Sequence, residues 1–311
     1  METDQIDYSI TIPVYNSERS LPELIKRLAQ VMDKIGQPYE ILLVNDASLD
    51  KSWQVIRQLK ERYPQIRAFN LMNNVGQFRA LMCAFDYVRG EYVITMDDDL
   101  QQPPEEITKL IKVIKTSPDL DCVFGIPQEK HHHYYRNLGT LLIRYINYKV
   151  FDKPKGLKTS SFRVFKRYIN DTLVQYKTRN PVLNPLIIRS TKCIANVTVE
   201  HCERKYGTSG YSLSRLIKTT FDNVLNFSTL PLKFVSGLGL VASLGSILLT
   251  VFYAVRYFQG AIKVPGWVTL VLLLTFFSGL NLFSIGLVGE YLIRIIREVN
   301  HSPLYVVKDK L

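Results

Sequence analysis

Cysteine is scarce in this sequence. Cys83, Cys122, Cys193 and Cys202 are spread over 311 residues with no C-x-x-C pair, which excludes a disulfide framework and a paired-cysteine metal site. They read as mostly buried thiols. The start, Met1-Glu2-Thr3-Asp4, lacks a basic flank and an apolar stretch, so no secretory signal is expected and the first domain is expected in the cytoplasm. Histidine occurs five times, three of them at His131-His132-His133. Consecutive side chains in regular structure cannot all aim at one ion, so the run reads as a polar loop, with a metal role as the alternative. Charged residues make up 22% against 47% hydrophobic, a balance that excludes disorder and a collagen-like chain.

Net charge is +11, from 39 Lys and Arg against 28 Asp and Glu. A uniformly basic chain would suggest nucleic acid, but here the charge is segregated. Residues 1–127 hold 14 basic and 19 acidic side chains, a net of −5, whereas 128–233 hold 19 and 6, a net of +13. Two uncharged runs follow, 234–255 between Lys233 and Arg256, and 264–289 between Lys263 and Glu290. Each exceeds the roughly 20 residues that cross a bilayer core, so a hairpin of two membrane helices is expected; buried core helices are the alternative. Arg294, Arg297, Lys308 and Lys310 follow the pair, against Arg256 and Lys263 in its loop, which places both ends in the cytoplasm. A basic region beside a membrane suits anionic headgroups or phosphorylated ligands. Gly237-x-Gly239-x-x-Ala242 mimics a dinucleotide-binding pattern but sits inside the first apolar run with no strand before it, so close helix packing is the reading there.

The polar part alternates strand and helix. Ser9–Val14 reads as a strand, with Asn16-Ser17 as the cap of a helix whose apolar residues recur from Leu21 to Ile35 and which Gly36 ends. Strands are expected at Glu40–Val44, Ile66–Leu71, Tyr92–Met96 and Val123–Phe124, and helices over 51–62, 77–89 and Pro103–Lys115. Repeated β-α-β units imply an α/β fold with a mainly parallel sheet, in which ligands sit beyond the carboxyl ends of the strands. After Gly125 the rhythm changes. Tyr134–Phe151 and 213–230 read as amphipathic helices that lie in the membrane interface or pack on the sheet.

Several residues at strand ends could carry chemistry. Asp97-Asp98-Asp99-Leu100-Gln101 directly follows an apolar strand. Three adjacent carboxylates repel one another unless solvent or a cation absorbs the charge. In an extended segment Asp97, Asp99 and Gln101 would face one way, offering hard oxygens to Mg²⁺ or Mn²⁺; a solvated acidic turn is the alternative. Asp46 could accept from a nucleobase N–H and Tyr15 could pack against the base, although the Asn, Asp and Ser of these segments are also ordinary loop residues. Gly76 and Gln77 open a helix where the backbone could approach an anion, or form a plain helix start. Arg136 and Thr140 share a helix face and suit a phosphate, or a solvated face. Arg204-Lys205-Tyr206-Gly207-Thr208-Ser209-Gly210-Tyr211-Ser212 is a basic loop that could close over phosphates or bind headgroups.

Taken together, Ile12-Pro13-Val14-Tyr15-Asn16, Val44-Asn45-Asp46-Ala47-Ser48, Asn74-Val75-Gly76-Gln77, Asp97-Asp98-Asp99-Leu100-Gln101 and Arg204-x-x-Gly207-x-Ser209-x-Tyr211-Ser212 resemble the family 2 glycosyltransferases. The likeness is to their polyprenyl-phosphate branch, that of dolichol-phosphate mannose synthases and undecaprenyl-phosphate glucosyl or aminoarabinose transferases. It runs to Gly286-Leu287-Val288-Gly289-Glu290-Tyr291 at the end of the hairpin. The resemblance implies a GT-A type domain over 1–212, a juxtamembrane helix over 213–233, the hairpin over 234–290 and a cytoplasmic tail over 291–311. It implies that Asp97, Asp99 and Gln101 hold a divalent ion, and that Pro13, Tyr15, Asp46 and Asp98 line the nucleoside site. Gly76 and Gln77 would belong to the donor site, Arg136 and Thr140 would bind the acceptor phosphate, and Arg204 and Ser209 would serve the phosphates. Three positions depart from the family pattern: Ser17 where Glu is common, Leu157 where an Asp precedes the Phe162-Arg163 segment, and Gly210 where Lys is common.

The activity so implied is inverting transfer of a sugar, expected from a UDP-sugar, to a polyprenyl phosphate on the cytoplasmic face of a bacterial inner membrane, by a homo-oligomer expected to be a tetramer. A phosphate monoester is already anionic, so no strong base is required, in keeping with the lack of an obvious catalytic His or Glu. Two alternatives remain: a membrane-anchored sugar-nucleotide-binding protein without transfer, and a processive polysaccharide synthase. The latter carry a Q-x-x-R-W segment that neither Trp53 nor Trp267 provides.

Overall fold

The computed structural model describes residues 6–128, 156–176, 182–202, 266–299 and 303–311, with individual positions between 232 and 259. The chain divides into two compact units, Met1–Gly210 with Ser302–Leu311, and Tyr211–His301. The expected helices at Tyr134–Phe151 and 213–230, the histidine run, and most of both the first apolar run and its loop lie outside the described residues.

The first unit opens with β1, Tyr8–Val14, buried along its whole length, as a central parallel strand requires. Helix α1, Leu21–Ile35, buries Leu21, Leu24, Ile25, Leu28 and Met32 along one face and ends on Gly36, whose φ of 69° forms a left-handed cap. Asn16-Ser17 is not the cap: Ser20 occupies that position, because Asn16 and Ser17 are held elsewhere by the residues described below. Then follow β2 Tyr39–Asn45, α2 Ser52–Arg62, β3 Ile66–Leu71, α3 Gln77–Phe85 and β4 Tyr92–Thr95. After a single 3₁₀ turn at Pro104–Glu106 come α4 Ile107–Thr116 and β5 Cys122–Pro127. Beyond 156 the described elements are β6 Arg163–Lys166, α5 Arg167–Gln175, α6 Leu183–Ser190, β7 Ile194–Val199 and, at the end of the chain, β8 Val307–Lys310.

The strands form one sheet in the order β7-β5-β6-β4-β1-β2-β3-β8. The centre, β4-β1-β2-β3, is parallel. β6 runs antiparallel between β4 and β5, β7 is parallel to β5, and β8 is antiparallel to β3. One core joins α1, α2 and α4 to Ile10, Ile12, Ile41 and Leu43. The other joins α3, α5 and α6 to Leu42, Val44 and Phe69. The sheet is thus sandwiched between helical layers, the α/β architecture expected of the sequence. At the strand starts, buried Glu40 accepts from Ser9 Oγ (2.6 Å), Arg67 Nη1 (2.8 Å) and Arg89 Nε (3.0 Å). The backbone passes so closely there that a Cβ on Gly90 would lie 2.6 Å from the amide nitrogen of Ser9. Of the cysteines, Cys83 and Cys122 are buried as expected, whereas Cys193 and Cys202 are exposed.

In the second unit, α7 spans Trp267–Val299. Its stretch Phe276–Ile293 is apolar and unburied, and among the described residues α7 is the one helix long and apolar enough to cross a membrane. It runs past residue 289, the expected end of the second apolar run, and carries Glu290, Arg294 and Arg297 within its last turns.

Candidate functional site

Because β1, β2, β3 and β4 are parallel, their carboxyl ends share one edge, and the loops leaving them meet there. The left-handed backbone positions concentrate on this edge. Among the described residues, the non-glycine residues with positive φ are Asn16 (54°), Ala47 (50°) and Leu100 (60°), in the loops after β1, β2 and β4; Gly76 (90°) follows β3. Such conformations persist only where surrounding contacts enforce them.

Asp46 continues β2, its N–H donating to Val14 O at 2.9 Å. It is buried, and its Oδ1 and Oδ2 accept from Val75 N–H (2.7 Å) and Gly76 N–H (2.8 Å). Burial raises its pKa, and those two N–H groups oppose the rise without cancelling it. Gln77, the next residue, donates its amide to Asp97 Oδ1 at 2.5 Å. The Val75–Gln77 segment therefore bridges the carboxylates at the ends of β2 and β4.

Asp97 Oδ2 accepts from Ser161 Oγ (2.5 Å) and Gln102 Nε2 (3.1 Å), and Gln102 Oε1 accepts from the Asp97 N–H at 3.1 Å. Burial pushes the Asp97 pKa up, partly offset by Ser161, and the nearby Asp99 charge adds to the rise. Asp98 turns toward the β1 exit: its Oδ2 accepts from Tyr15 N–H (3.0 Å) and Ser17 Oγ (2.5 Å). Burial raises it to about 6. Asp99 Oδ1 accepts from Gln101 N–H at 3.1 Å. The segment is not extended. It bends from Asp98 through Gln102 with Leu100 left-handed, so the every-second-residue alignment of Asp97, Asp99 and Gln101 does not hold. Among the described residues, no three His, Cys, Asp or Glu side chains form a preassembled metal group.

Tyr15 is 45% exposed, so its ring faces open space, whereas Pro13 is buried within β1. Gly76 has no atom within 4 Å of where a Cβ would stand. Arg136, Thr140, Arg204 and Ser209 lie outside the described residues. Cys202, two residues before Arg204, donates its N–H to Gln101 O at 2.9 Å, which ties the last described residue ahead of the basic loop to the acidic segment.

Sequence reading missed Gln102, Ser161 and the role of Arg163. Arg163 is 1% exposed, donates from Nε to Thr95 Oγ1 at 3.0 Å, binds Asn184 Oδ1, and lies over the Phe124 ring. Burial lowers its pKa to about 10. The signal available was the Ser160-Ser161-Phe162-Arg163 string, but only the antiparallel insertion of β6 beside β4 brings it to Asp97.

Residues 9–174 match the family described as Glycosyl transferase family 2. The undecaprenyl-phosphate 4-deoxy-4-formamido-L-arabinose transferase of Sodalis glossinidius is 34% identical over 314 residues, covering 99% of this chain and 94% of that protein. The protein of the same name from Salmonella newport is 34% identical over 308 residues, covering 97% and 92%. Among solved structures, glucosyl-3-phosphoglycerate synthase from Mycobacterium tuberculosis, in complex with Mn²⁺, UDP and glucosyl-3-phosphoglycerate, superposes with a TM-score of 0.53 at 14% identity, over 71% of this chain and 78% of that one. That similarity is one of fold.

Proposed function

This chain belongs to glycosyl transferase family 2, in its polyprenyl-phosphate branch, and on that premise we propose that it transfers a sugar from a nucleoside diphosphate donor to a polyprenyl phosphate. The named activity of its full-length relatives is sugar transfer to undecaprenyl phosphate, which supports the acceptor. The observation that carries the donor side is the Val75–Gln77 bridge between Asp46 and Asp97: one loop ties two carboxylates into a single pocket edge beside exposed Tyr15.

A carboxylate has about four acceptor positions. Asp46 uses two, leaving room for a base N–H next to the Tyr15 ring. Asp97 accepts three donors, leaving one. Together with Asp99 and Gln101 it would supply the hard oxygens that suit Mg²⁺ or Mn²⁺, and a cation there would relieve the repulsion that the adjacent carboxylates add to burial at Asp97 and Asp98. Such an ion, when bound, would neutralise charge developing on the leaving diphosphate. Asp97, Asp99 and Gln101 would hold it, with Asp98 kept in place by Tyr15 and Ser17. Arg136 and Thr140 would orient the acceptor phosphate, and Arg204 and Ser209, which follow Cys202 in the chain, would serve the phosphates.

In the reaction, an oxygen of the acceptor phosphate bonds to C1 of the sugar while the bond from C1 to the diphosphate oxygen breaks. One displacement inverts C1, and the nucleoside diphosphate departs with the bonding pair. The acceptor is already anionic, so no residue need remove a proton. UDP is the proposed nucleotide, the bacterial inner membrane the proposed location, a hairpin of two membrane helices the proposed anchor with both ends cytoplasmic, and a homotetramer the proposed assembly. The test is purified protein with a panel of UDP- and GDP-sugars and a short polyprenyl phosphate, read by the mass of the lipid product. One donor is expected to yield a glycosylated lipid; nucleotide binding without any product would instead favour a non-enzymatic binding protein.

A further inference from the structure

β8 lies against β3 with Lys310 opposite Phe69, Asp309 opposite Asn70 and Val307 opposite Leu71. The pairing continues past both ends. Ala68 and Leu311 exchange N–H···O bonds of 3.1 and 2.9 Å, and Met72 N–H donates to Val306 O at 2.9 Å. A strand here protects an otherwise open sheet edge, but edge cover alone does not call for the side-chain connections that leave it. Asn70 Nδ2 donates to Asp309 Oδ2 at 2.8 Å. Asn70 Oδ1 accepts from Asn45 Nδ2 at 2.7 Å, and Asn45 Oδ1 from Ser48 Oγ at 2.5 Å. Ser48 Oγ accepts from the N–H of Asn16 at 3.0 Å. An unbroken polar relay thus crosses β3 and β2 and ends beside Tyr15, whose own N–H holds Asp98.

The second attachment is to the β3 exit. Met72, bonded to Val306, immediately precedes the Asn73–Gly76 loop that grips Asp46. Tyr305 donates its hydroxyl to Asp86, and Lys310 Nζ binds Tyr87 OH at 2.8 Å while lying over its ring. These contacts fasten the segment from both sides of its one irregularity, the register shift at Asn70/Leu71. Hydrogen-bond chains in a partly buried setting reinforce one another, so the loops after β1, β2 and β3 share a common support.

We propose that the C-terminal strand is a positioning element of the donor site: Asp309, through Asn70, Asn45 and Ser48, and Val306, through Met72, fix the loops that hold Asp46, Asp97 and Asp98. The proposal rests on the donor-site reading above. It gives the last nine residues a part in binding a nucleoside diphosphate although none of them need touch it.

Full-length protein in detergent tests it, as Asp309→Ala, as Asp309→Asn, and as a chain ending at Ser302 with and without a synthetic peptide of residues 303–311. Amide exchange at Asn16, Leu49 and 72–77 is measured first with no nucleotide present, then donor KM and kcat. Asp309→Ala is expected to speed exchange at Asn16 and Leu49, where the relay ends, and to raise donor KM about fivefold, the worth of one hydrogen bond, with kcat nearly unchanged; the shortened chain is expected to speed exchange at 72–77 as well. Asp309→Asn keeps an oxygen that accepts from Asn70 and restores both readouts; the peptide does the same for the shortened chain. Unchanged exchange at Asn16 and Leu49, or an unchanged donor KM, in Asp309→Ala overturns the proposal. Should the shortened chain fail to fold, wild-type protein supplies the reciprocal measurement, since coupling works in both directions: UDP should slow exchange at 307–311, and slowing confined to 73–77 overturns it. If exchange at Asn16 and Leu49 responds to Asp309→Ala but no nucleotide binds, the donor-site reading fails and the positioning role stands.

Discussion

The Ser17 hydroxyl donates to Oδ2 of Asp98 at 2.5 Å. At the position where the family pattern favours an acid, this chain places a neutral donor, and it uses that donor to hold the middle carboxylate of the Asp97-Asp98-Asp99 run. An acid at this position would add repulsion beside a group already raised to about 6. Ser17→Ala should therefore raise donor KM about fivefold, with little change in kcat. Ser17→Glu should do worse than Ala, and initial-rate kinetics across donor concentrations separate the two.

Asp98 also makes a prediction about stability. Its folded pKa of about 6 lies above the ordinary 3.8. Such a group favours the fold only at pH below its unfolded value, and that contribution is lost as pH rises through about 6. At neutral pH the ionised carboxylate is thus destabilising. Asp98→Asn should melt higher than wild type at pH 7.5, by about 2–4 °C, with the difference shrinking toward pH 4, while nucleotide binding is lost. Equal melting temperatures at pH 7.5 would count against the assignment.

Glu40 behaves in the opposite sense. Burial alone would raise its pKa, but Ser9, Arg67 and the Arg89 N–H outweigh burial and leave it lowered. Its contribution is complete above the ordinary value of 4.5 and disappears as pH falls through the folded value. Glu40→Gln should lower the melting temperature by about 6 °C at pH 7, and that gap should close in acid. Thermal scans at pH 7 and at a pH well below the ordinary value, about 2, check it.

The Asp97 support is a joint one. Gln102 Nε2 donates to Ser161 Oγ at 2.8 Å as well as to Asp97. Ser161→Ala and Gln102→Leu should each reduce kcat/KM about tenfold, and the double variant should lose less than the product of the two, as expected for residues acting on one carboxylate. Independent, multiplying losses would contradict the shared role.

Much of this was legible in the chain itself. Apolar runs and helical spacing located β1 to β5 and α1 to α4 to within a few residues, because the central strands are continuous buried apolar runs and α1 and α4 bury one face at helical spacing. The approach of Asp46 to Asp97 followed from their places at the ends of parallel strands. The remainder depended on non-local pairing. β6 is four residues with a buried Arg163 in place of an apolar run, and its antiparallel entry beside β4 leaves no local mark. β8 reads as a charged tail, Lys308-Asp309-Lys310, and becomes a strand only because β3 offers an edge. The bend at Leu100 was hidden for a similar reason: leucine gives no warning of positive φ, and the conformation is imposed by the loop around it.

In the proposed reaction the acceptor phosphate attacks the sugar carbon rather than a phosphorus atom. The direct measurement is the nucleotide released when full-length protein, a UDP-sugar, Mg²⁺ and polyprenyl phosphate are incubated together, quantified alongside the lipid. One UDP is expected for each lipid formed, with one phosphate between sugar and polyprenyl chain in the product. Release of UMP with a diphosphate-linked lipid would contradict it.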